Sequence, residues 1–113
     1  KQGFVVVRCK VKKGTTKRPA IRGGRRPKRY GRVRFTPAKS KQRIAEERVS
    51  KKYVNLEVLN SYYVGDDSKH DWYEVILVDP DAPSIRKDRK LQWLQSGKHR
   101  NRALRGLVHK RAE

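Results

Sequence analysis

Acidic residues are scarce in this sequence: 11 Asp and Glu stand against 31 Lys and Arg, which leaves a formal net charge of +20. None of the acidic residues falls within positions 1–43. Hydrophobic residues are also few, at 35% of 113 residues, so one small core is the most that we expect. A compact body with this excess of positive charge would repel itself unless a polyanion neutralised it. The composition therefore indicates a highly negative partner, with nucleic acid as the first candidate.

Cysteine and long apolar runs are nearly absent as well. The single cysteine, Cys9, excludes an internal disulfide framework, and one Cys with three scattered His does not supply the ligands of a zinc site. We therefore predict no metal and no cofactor. No apolar run approaches the roughly 20 residues of a membrane-spanning helix, and the N-terminus shows no signal-peptide pattern. We expect a reducing intracellular compartment.

The positive charge is distributed unevenly along the chain. Residues 1–43 hold 17 basic residues, residues 44–85 hold four basic against nine acidic residues, and residues 86–113 hold ten against two. This asymmetry predicts a single RNA-binding domain, residues 1–113, in which a globular centre over 44–85 is flanked by two polyanion-binding segments.

A strand and a long basic loop are predicted in the N-terminal part. In Phe4–Lys12, Val5, Val7, Cys9 and Val11 alternate with Val6, Arg8, Lys10 and Lys12, the period-two pattern of a strand with one apolar and one increasingly basic face. Cys9 falls on the apolar face and is interpreted as a small core residue. Residues 13–35 contain six Gly or Pro among many basic residues. Such a segment has too little apolar surface to fold alone, so we expect a loop that becomes ordered against RNA.

A helix and a hairpin are predicted in the centre. Thr36 as N-cap and Pro37 at the first helical position predict a helix to about Tyr53, with surface charge pairs four residues apart. Residues 56–64 and 72–79 are dense in β-branched and aromatic residues and predict two antiparallel strands. The apolar run in the second predicts a strand paired on both edges.

The C-terminal segment, residues 86–113, is predicted to be helical and basic. Short helices are expected over 88–95 and 100–109, the latter bringing Leu104, Leu107 and Val108 together. The predicted fold class is therefore α+β: a small, mainly antiparallel sheet packed with helices, with a long basic loop and basic C-terminal helices.

Two other functional classes fit part of the sequence. A magnesium-dependent nuclease would use acidic residues of the centre, although their positions in turns and strand ends give no reason to converge; they are Asp66, Asp67, Asp71, Glu74, Asp79 and Asp81. A peripheral membrane or acidic-protein binder would use the basic segment 98–111.

Several segments resemble one known family. They are KQGFVVVRCKVKKG, GRRPKRYG, RFTPAKS, IAEERVSKKYVNLEVLNSYYVGDD, WYEVILVDPDAPSI and KHRNRALRGL, in unbroken order along nearly the whole chain. Together they resemble the 15e family of large-subunit ribosomal proteins of archaea and eukaryotes. The resemblance implies a structural, non-enzymatic protein of the cytoplasmic ribosome that binds and bridges large-subunit rRNA and lies beside other ribosomal proteins. It implies no small-molecule substrate and no membrane. A non-ribosomal basic RNA-binding protein is the alternative to this assignment.

The resemblance also implies what surrounds this segment and where it binds RNA. The family usually has a further arginine-rich N-terminal region and a longer basic tail, so we expect a fragment. The matching RNA-facing motifs are GRRPKRYG and KHRNRALRG. With the basic face of the strand and the rest of the loop, they give the predicted RNA-binding residues: Arg8, Lys10, Lys12, Lys13, Lys17, Arg18, Arg22, Arg25, Arg26, Lys28, Arg29, Tyr30, Arg32, Arg34, Lys98, His99, Arg100, Arg102 and Arg105.

Overall fold

A computed structural model describes residues 1–14, 17–26, 28 and 35–109. Along the chain it contains β1 (Phe4–Lys12), α1 (Lys41–Lys52), β2 (Glu57–Asp66), β3 (His70–Val78) and the one-turn α2 (Pro83–Arg86). Two short 3₁₀ helices follow, Gln92–Gln95 and Gly97–His99. A small antiparallel sheet with a helix confirms the predicted α+β class.

The sheet has the order β1-β3-β2, with both pairings antiparallel. β3 is therefore paired on both edges, as its continuous apolar run predicted. The β2–β3 hairpin is confirmed with slightly different bounds, since pairing extends to Asp66 and begins again at His70. Two register irregularities in β2, near Leu59 and Val64, mark bulges that bend this edge strand.

β1 shows the predicted alternation over most of its length. Val11 is buried, and Val7 and Cys9 pack against the main core, whereas Val5 remains exposed. The predicted core role of Cys9 agrees with this packing. Partial burial raises the pKa of its thiol, an effect that nearby Arg48 only partly offsets.

The predicted start of α1 is wrong by about one turn. The helix begins at Lys41, and its N-cap is Ser40, whose Oγ accepts a hydrogen bond from the Arg43 N–H at 3.3 Å. Thr36 and Pro37 precede the helix. The physical reason lies in a tertiary ion pair: Lys39 Nζ contacts Glu47 Oε2 at 2.7 Å. In a continuous helix these residues would lie about 12 Å apart along the axis, too far for a direct pair.

The C-terminal helices are largely replaced by turns. Only a 3₁₀ helix forms within 88–95, and residues 100–106 form turns instead of the predicted helix over 100–109. Asn101 and Gly106 have φ values of 54° and 72°, a left-handed conformation that interrupts a helix. A Cβ at Gly106 would lie 2.8 Å from the Arg43 guanidinium, so this close approach requires glycine. Leu104 is consequently exposed, and Ala103 is buried in its place.

Two core clusters hold these elements together. In the larger one, α1 and Ala103 cover one face of the sheet; its buried members are Val49, Leu56, Val58, Val75, Leu77 and Ala103. In the smaller one, α2 and the first 3₁₀ helix cover the opposite face at one end of the sheet; its buried members are Val78, Ile85 and Leu94, with Phe4 packed beside them. The rest of that second face has no layer of its own among the described residues.

We predict that Val75→Ala lowers the free energy of unfolding by about 2 to 3 kcal/mol, because it removes two methyl groups from a filled site and leaves a cavity. Val75 is 0% exposed, whereas Val6, on the neighbouring strand, is 57% exposed. Val6→Ala is therefore the matched control and should change stability by about 0.5 kcal/mol or less. Urea unfolding followed by circular dichroism measures both; equal effects would contradict this core assignment.

Candidate nucleic-acid interface

Both ends of the basic loop are fixed at the same end of the sheet. Where the loop begins, the Lys13 N–H donates to the Lys69 carbonyl at 2.8 Å, and Lys13 Nζ forms an ion pair with Asp66. After the loop, at the first residue of α1, Lys41 Nζ contacts Asp71 Oδ2 at 2.5 Å. These contacts bind both stems to the β2–β3 hairpin end of the sheet. Lys13 and the Tyr63 hydroxyl together lower the pKa of Asp66.

The described residues of the loop lie outside both core clusters. These residues, 17–26 and 28, contain no helix or strand, and all except Arg18 are exposed. The protein measures 65 × 31 × 24 Å with a radius of gyration of 18.4 Å, against about 13 Å for a compact chain of this length. Of the RNA-binding residues predicted within 17–35, the structure describes Lys17, Arg18, Arg22, Arg25, Arg26 and Lys28. Arg29, Tyr30, Arg32 and Arg34 lie outside the described residues.

Three further predicted residues project from the sheet. Arg8, Lys10 and Lys12 alternate along β1 and are all exposed. The Arg8 guanidinium carbon lies 5.0 Å from the ring centroid of Trp72, and Lys10 Nζ lies 5.9 Å from it. These cations share one face of the sheet, opposite α1.

The C-terminal basic residues have different surroundings from one another. Lys98 and Arg100 are exposed. Arg105 instead holds the segment together, because its guanidinium donates to the carbonyl of Arg100 at 3.0 Å and to that of Lys98. His99 packs edge-on against Trp93, with ring centroids 4.6 Å apart. Burial and then the neighbouring cations lower the pKa of His99, so its imidazole is neutral at pH 7 and adds no charge to this surface.

Arg102 departs from the predicted surface position. It is 7% exposed, and its guanidinium carbon lies 4.9 Å from the ring centroid of Trp93. Its Nε and Nη1 have no hydrogen-bond partner. Desolvation lowers the pKa of this arginine, while the carboxylates of Glu57 and Glu46 act in the opposite direction. The side chain thus faces into the protein, whereas Lys98 and Arg100 are exposed.

Two buried carboxylates position this C-terminal segment. Glu57 Oε1 accepts the N–H of Asn101 at 3.1 Å, which fixes the turn after the second 3₁₀ helix. Glu46, 1% exposed, accepts from the Ser61 hydroxyl and lies 2.8 Å from His109 Nε2. The sequence pattern predicted neither contact. For Glu46 a signal was present, because it lies three residues before Val49 and next to Ala45, within the apolar stripe of α1.

Within α1 a third acidic residue, Glu47, binds two cations. Its carboxylate accepts from Lys39 Nζ at 2.7 Å and from Arg43 Nε at 3.1 Å. The Arg43–Glu47 pair is one of the surface charge pairs that the sequence predicted four residues apart. Burial alone would raise the pKa of Glu47, but the two cations outweigh that effect and lower it. Because Arg43 also approaches Gly106 closely, this pair connects α1 to the C-terminal segment.

The carboxylates do not form a catalytic centre. Every carboxylate in the described part of the chain accepts a hydrogen bond or an ion pair within the protein. Over the same residues, no three His, Cys, Asp or Glu side chains are grouped so as to hold a metal ion. No helix in the ranges described has the length and apolar character needed to cross a bilayer.

A protein-family model described as Ribosomal L15 matches residues 1–112, which is nearly the whole chain. The chain belongs to the ribosomal L15e family. It is therefore a large-subunit ribosomal protein, a structural component of the cytoplasmic ribosome and not an enzyme. For this L15e protein, membership in the family rules out the nuclease and the non-ribosomal alternatives.

We predict that Glu47→Gln lowers the free energy of unfolding at neutral pH by about 1 kcal/mol, because it removes two charge-assisted bonds whose cations are partly exposed. The pKa of Glu47 is lowered from its ordinary value of 4.5, so its contribution is full above that value. The contribution is lost as pH falls through the lowered pKa. The difference between wild type and Glu47→Gln should therefore shrink on acidification.

Asp81→Asn is the control for this series. Asp81 also pairs with an arginine, Arg86 at 2.9 Å, but its side chain is 82% exposed. We expect this substitution to change stability by about 0.5 kcal/mol or less at every pH. Urea unfolding from about pH 7 down to about pH 3 measures both variants. A Glu47→Gln effect that is constant with pH would refute the ion-pair explanation.

Proposed function

We propose that this L15e protein binds large-subunit rRNA and bridges separate parts of it through two cationic surfaces at opposite ends of its sheet. The observation that carries the proposal is the position of the anchors. Lys13 and Lys41 fix the basic loop to the hairpin end at Asp66 and Asp71. The C-terminal segment starts after β3 at the other end of the sheet and is held there by Glu57.

The sheet sets the spacing between these surfaces. β3 is nine residues long, which corresponds to roughly 26 Å of extended strand. It is paired on both edges, and Val75, Leu77 and Val78 are fully buried, so we expect this spacer to be rigid. RNA helices carry dense negative charge and repel each other. A rigid body with a cationic surface at each end therefore suits the role of holding two of them at a set distance.

The binding energy in this proposal comes from contacts between Lys or Arg and phosphate. Each such contact releases condensed counterions, so affinity should fall steeply with salt. RNA helices are recognised by shape, backbone and 2′-OH groups, and such contacts are consistent with a loop whose described residues form no helix or strand. We propose that the exposed cations among the predicted RNA-binding residues contact phosphates. Arg102 is buried and packs against the ring of Trp93 instead. Neighbouring ribosomal proteins are proposed as further partners.

We predict that replacing Arg25, Arg26 and Lys28 together by Gln weakens binding to a large-subunit rRNA fragment. The magnitude of the slope of log K against log salt should fall by about 0.7 to 0.9 for each phosphate that the protein no longer neutralises. The fold should persist, because all three side chains are exposed and lie outside both core clusters. A filter-binding salt series measures the slope, and circular dichroism checks the fold.

The control removes the same charge from other positions. Lys1, Lys39 and Arg86 each form an ion pair with a carboxylate, to Asp88, Glu47 and Asp81. Replacing these three by Gln should leave the salt slope nearly unchanged. Equal slopes for the two triple variants would mean that only net charge matters and that the loop makes no special contact.

We also predict that the two surfaces bind different RNA helices. With donor-labelled and acceptor-labelled short RNA duplexes in one solution, the wild-type protein should produce energy transfer between them. Lys98→Gln combined with Arg100→Gln should retain binding of one duplex through the loop but abolish most of the transfer. Unchanged transfer would remove the C-terminal segment from the bridge.

A further inference from the structure

The uncovered face of the sheet combines exposed cations with aromatic rings. Register places Lys12 opposite His70, Lys10 opposite Trp72, Arg8 opposite Glu74 and Val6 opposite Ile76. On the other side of β3, Tyr62 lies opposite Glu74 and Asn60 opposite Ile76. We call this surface the open sheet face; its members are Val6, Arg8, Lys10, Lys12, Asn60, Tyr62, His70, Trp72, Glu74 and Ile76.

The open sheet face is distinct from the covered parts of the sheet. The main core and α1 occupy the opposite face, on which Val75 and Leu77 are fully buried. On the same face, the row formed by Phe4 and Val78 is covered by the smaller cluster. From the Val6 row onward the face is open: Val6 is 57% and Tyr62 47% exposed.

The charge of this face is not balanced by carboxylates. Two carboxylates lie at this face. Glu74 accepts a hydrogen bond from the Tyr62 hydroxyl, and Asp67, in the turn beside the face, lies 3.7 Å from His70 Nδ1 and interacts with the Trp72 side chain. Arg8 lies directly across from Glu74 in the register, yet its guanidinium lies over the Trp72 ring instead. Among the described residues, Arg8, Lys10 and Lys12 form no ion pair, in contrast to Lys13 and Lys41. Three uncompensated cations favour a polyanion as the partner of this face.

The aromatic rings of the face indicate which class of polyanion it binds. Trp72 lies beside both Arg8 and Lys10, and the His70 ring centroid is 6.4 Å from the Trp72 centroid. A surface on which aromatic rings alternate with cations suits a nucleic acid whose bases are accessible. The bases stack on the rings, and the phosphates contact the cations. In a duplex the base faces are stacked on one another and are not accessible. Unpaired RNA presents both groups.

We propose that the open sheet face binds an unpaired segment of RNA, with a base stacked on the Arg8–Trp72 pair and phosphates at Lys10 and Lys12. This inference rests on the proposed rRNA binding and adds to it a site that recognises bases, on residues outside the basic loop and the C-terminal segment. Trp72 and Tyr62 are the ring contacts, and Asn60 offers an amide to a base edge.

Fluorescence of Trp72 tests the proposal without altering the site. The protein has two tryptophans, so Trp93→Phe, which retains a ring against Arg102, leaves Trp72 as the single reporter. An oligoadenylate of about twelve nucleotides, long enough for one such groove, should quench its emission on binding. Polyphosphate and poly-glutamate of matched charge should bind through the cations and quench far less. Equal quenching by all three would overturn base stacking, and a response to poly-glutamate alone would indicate an acidic protein segment instead.

Affinity measurements give a second, independent readout. Trp72→Ala should lower affinity for the oligoadenylate by about 5- to 100-fold, the range that stacking of one base represents. Trp72→Phe should retain most of it, and polyphosphate affinity should be the same in both variants. Circular dichroism checks that each variant is folded. The quenching experiment keeps Trp72 intact, so it tests the proposal even if Trp72→Ala does not fold.

The outcomes separate this inference from the proposed function. If the loop variant changes the salt slope on the rRNA fragment while Trp72 shows no base-dependent quenching, the open sheet face is not a stacking site and the bridging proposal remains. If no RNA binds at low salt, both proposals fail.

Discussion

Carboxylates that bind groups of the chain itself determine where this L15e protein presents its positive charge, and every carboxylate among the described residues has such a partner. Asp66 and Asp71 hold the two stems of the basic loop, and Glu46 and Glu57 hold the C-terminal segment through His109 and Asn101. A chain with a net charge of +20 thereby uses its negative groups to fix the cationic segments in place. Most of the other cations among the described residues are exposed, and we propose that their mutual repulsion is relieved beside the phosphates of rRNA.

The same arrangement explains why so small a protein has a distinct core. α1 and Ala103 cover one side of the sheet, and α2 with the first 3₁₀ helix covers one end of the other side. The buried hydrophobic residues are all aliphatic, and their burial stabilises the fold without the exposed cations of the basic loop. Stability and RNA binding thus use separate residues. Arg102 connects the two, since it is buried beneath Trp93 while its neighbours Lys98 and Arg100 are exposed.

Much of this fold could be predicted from local patterns, and the errors have a common cause. β1, the hairpin and the central position of β3 follow from alternation and apolar runs, because those signals report directly which face of a strand is buried. The predicted start of α1 was wrong because Lys39 reaches Glu47 through space. The helix expected over 100–109 is absent because Asn101 and Gly106 adopt positive φ to meet Glu57 and Arg43. In both cases contacts between residues far apart in the sequence determine where a helix forms. The periodicity of a single sequence carries no information on such contacts.

The candidate interface was predicted with similar limits. Cations such as Arg25 and Lys98 are exposed as expected, because an isolated charge in a chain without nearby acids has no reason to be buried. The burial of Arg102 was not predicted, nor was the aromatic content of the open sheet face. Trp72 belongs to an apolar run in the sequence, and only the register with Arg8 and Lys10 shows which of its neighbours are cationic.

Photo-crosslinking within the assembled large subunit tests the central claim most directly. A photoreactive amino acid would be placed at Arg26 in the basic loop and, in a second protein, at Arg100 in the C-terminal segment, and the crosslinked nucleotides would be mapped. The account predicts crosslinks to two different rRNA helices, because the loop and the C-terminal segment are anchored at opposite ends of a rigid sheet. Crosslinks from both positions to one helix, or from either position to protein alone, would contradict it.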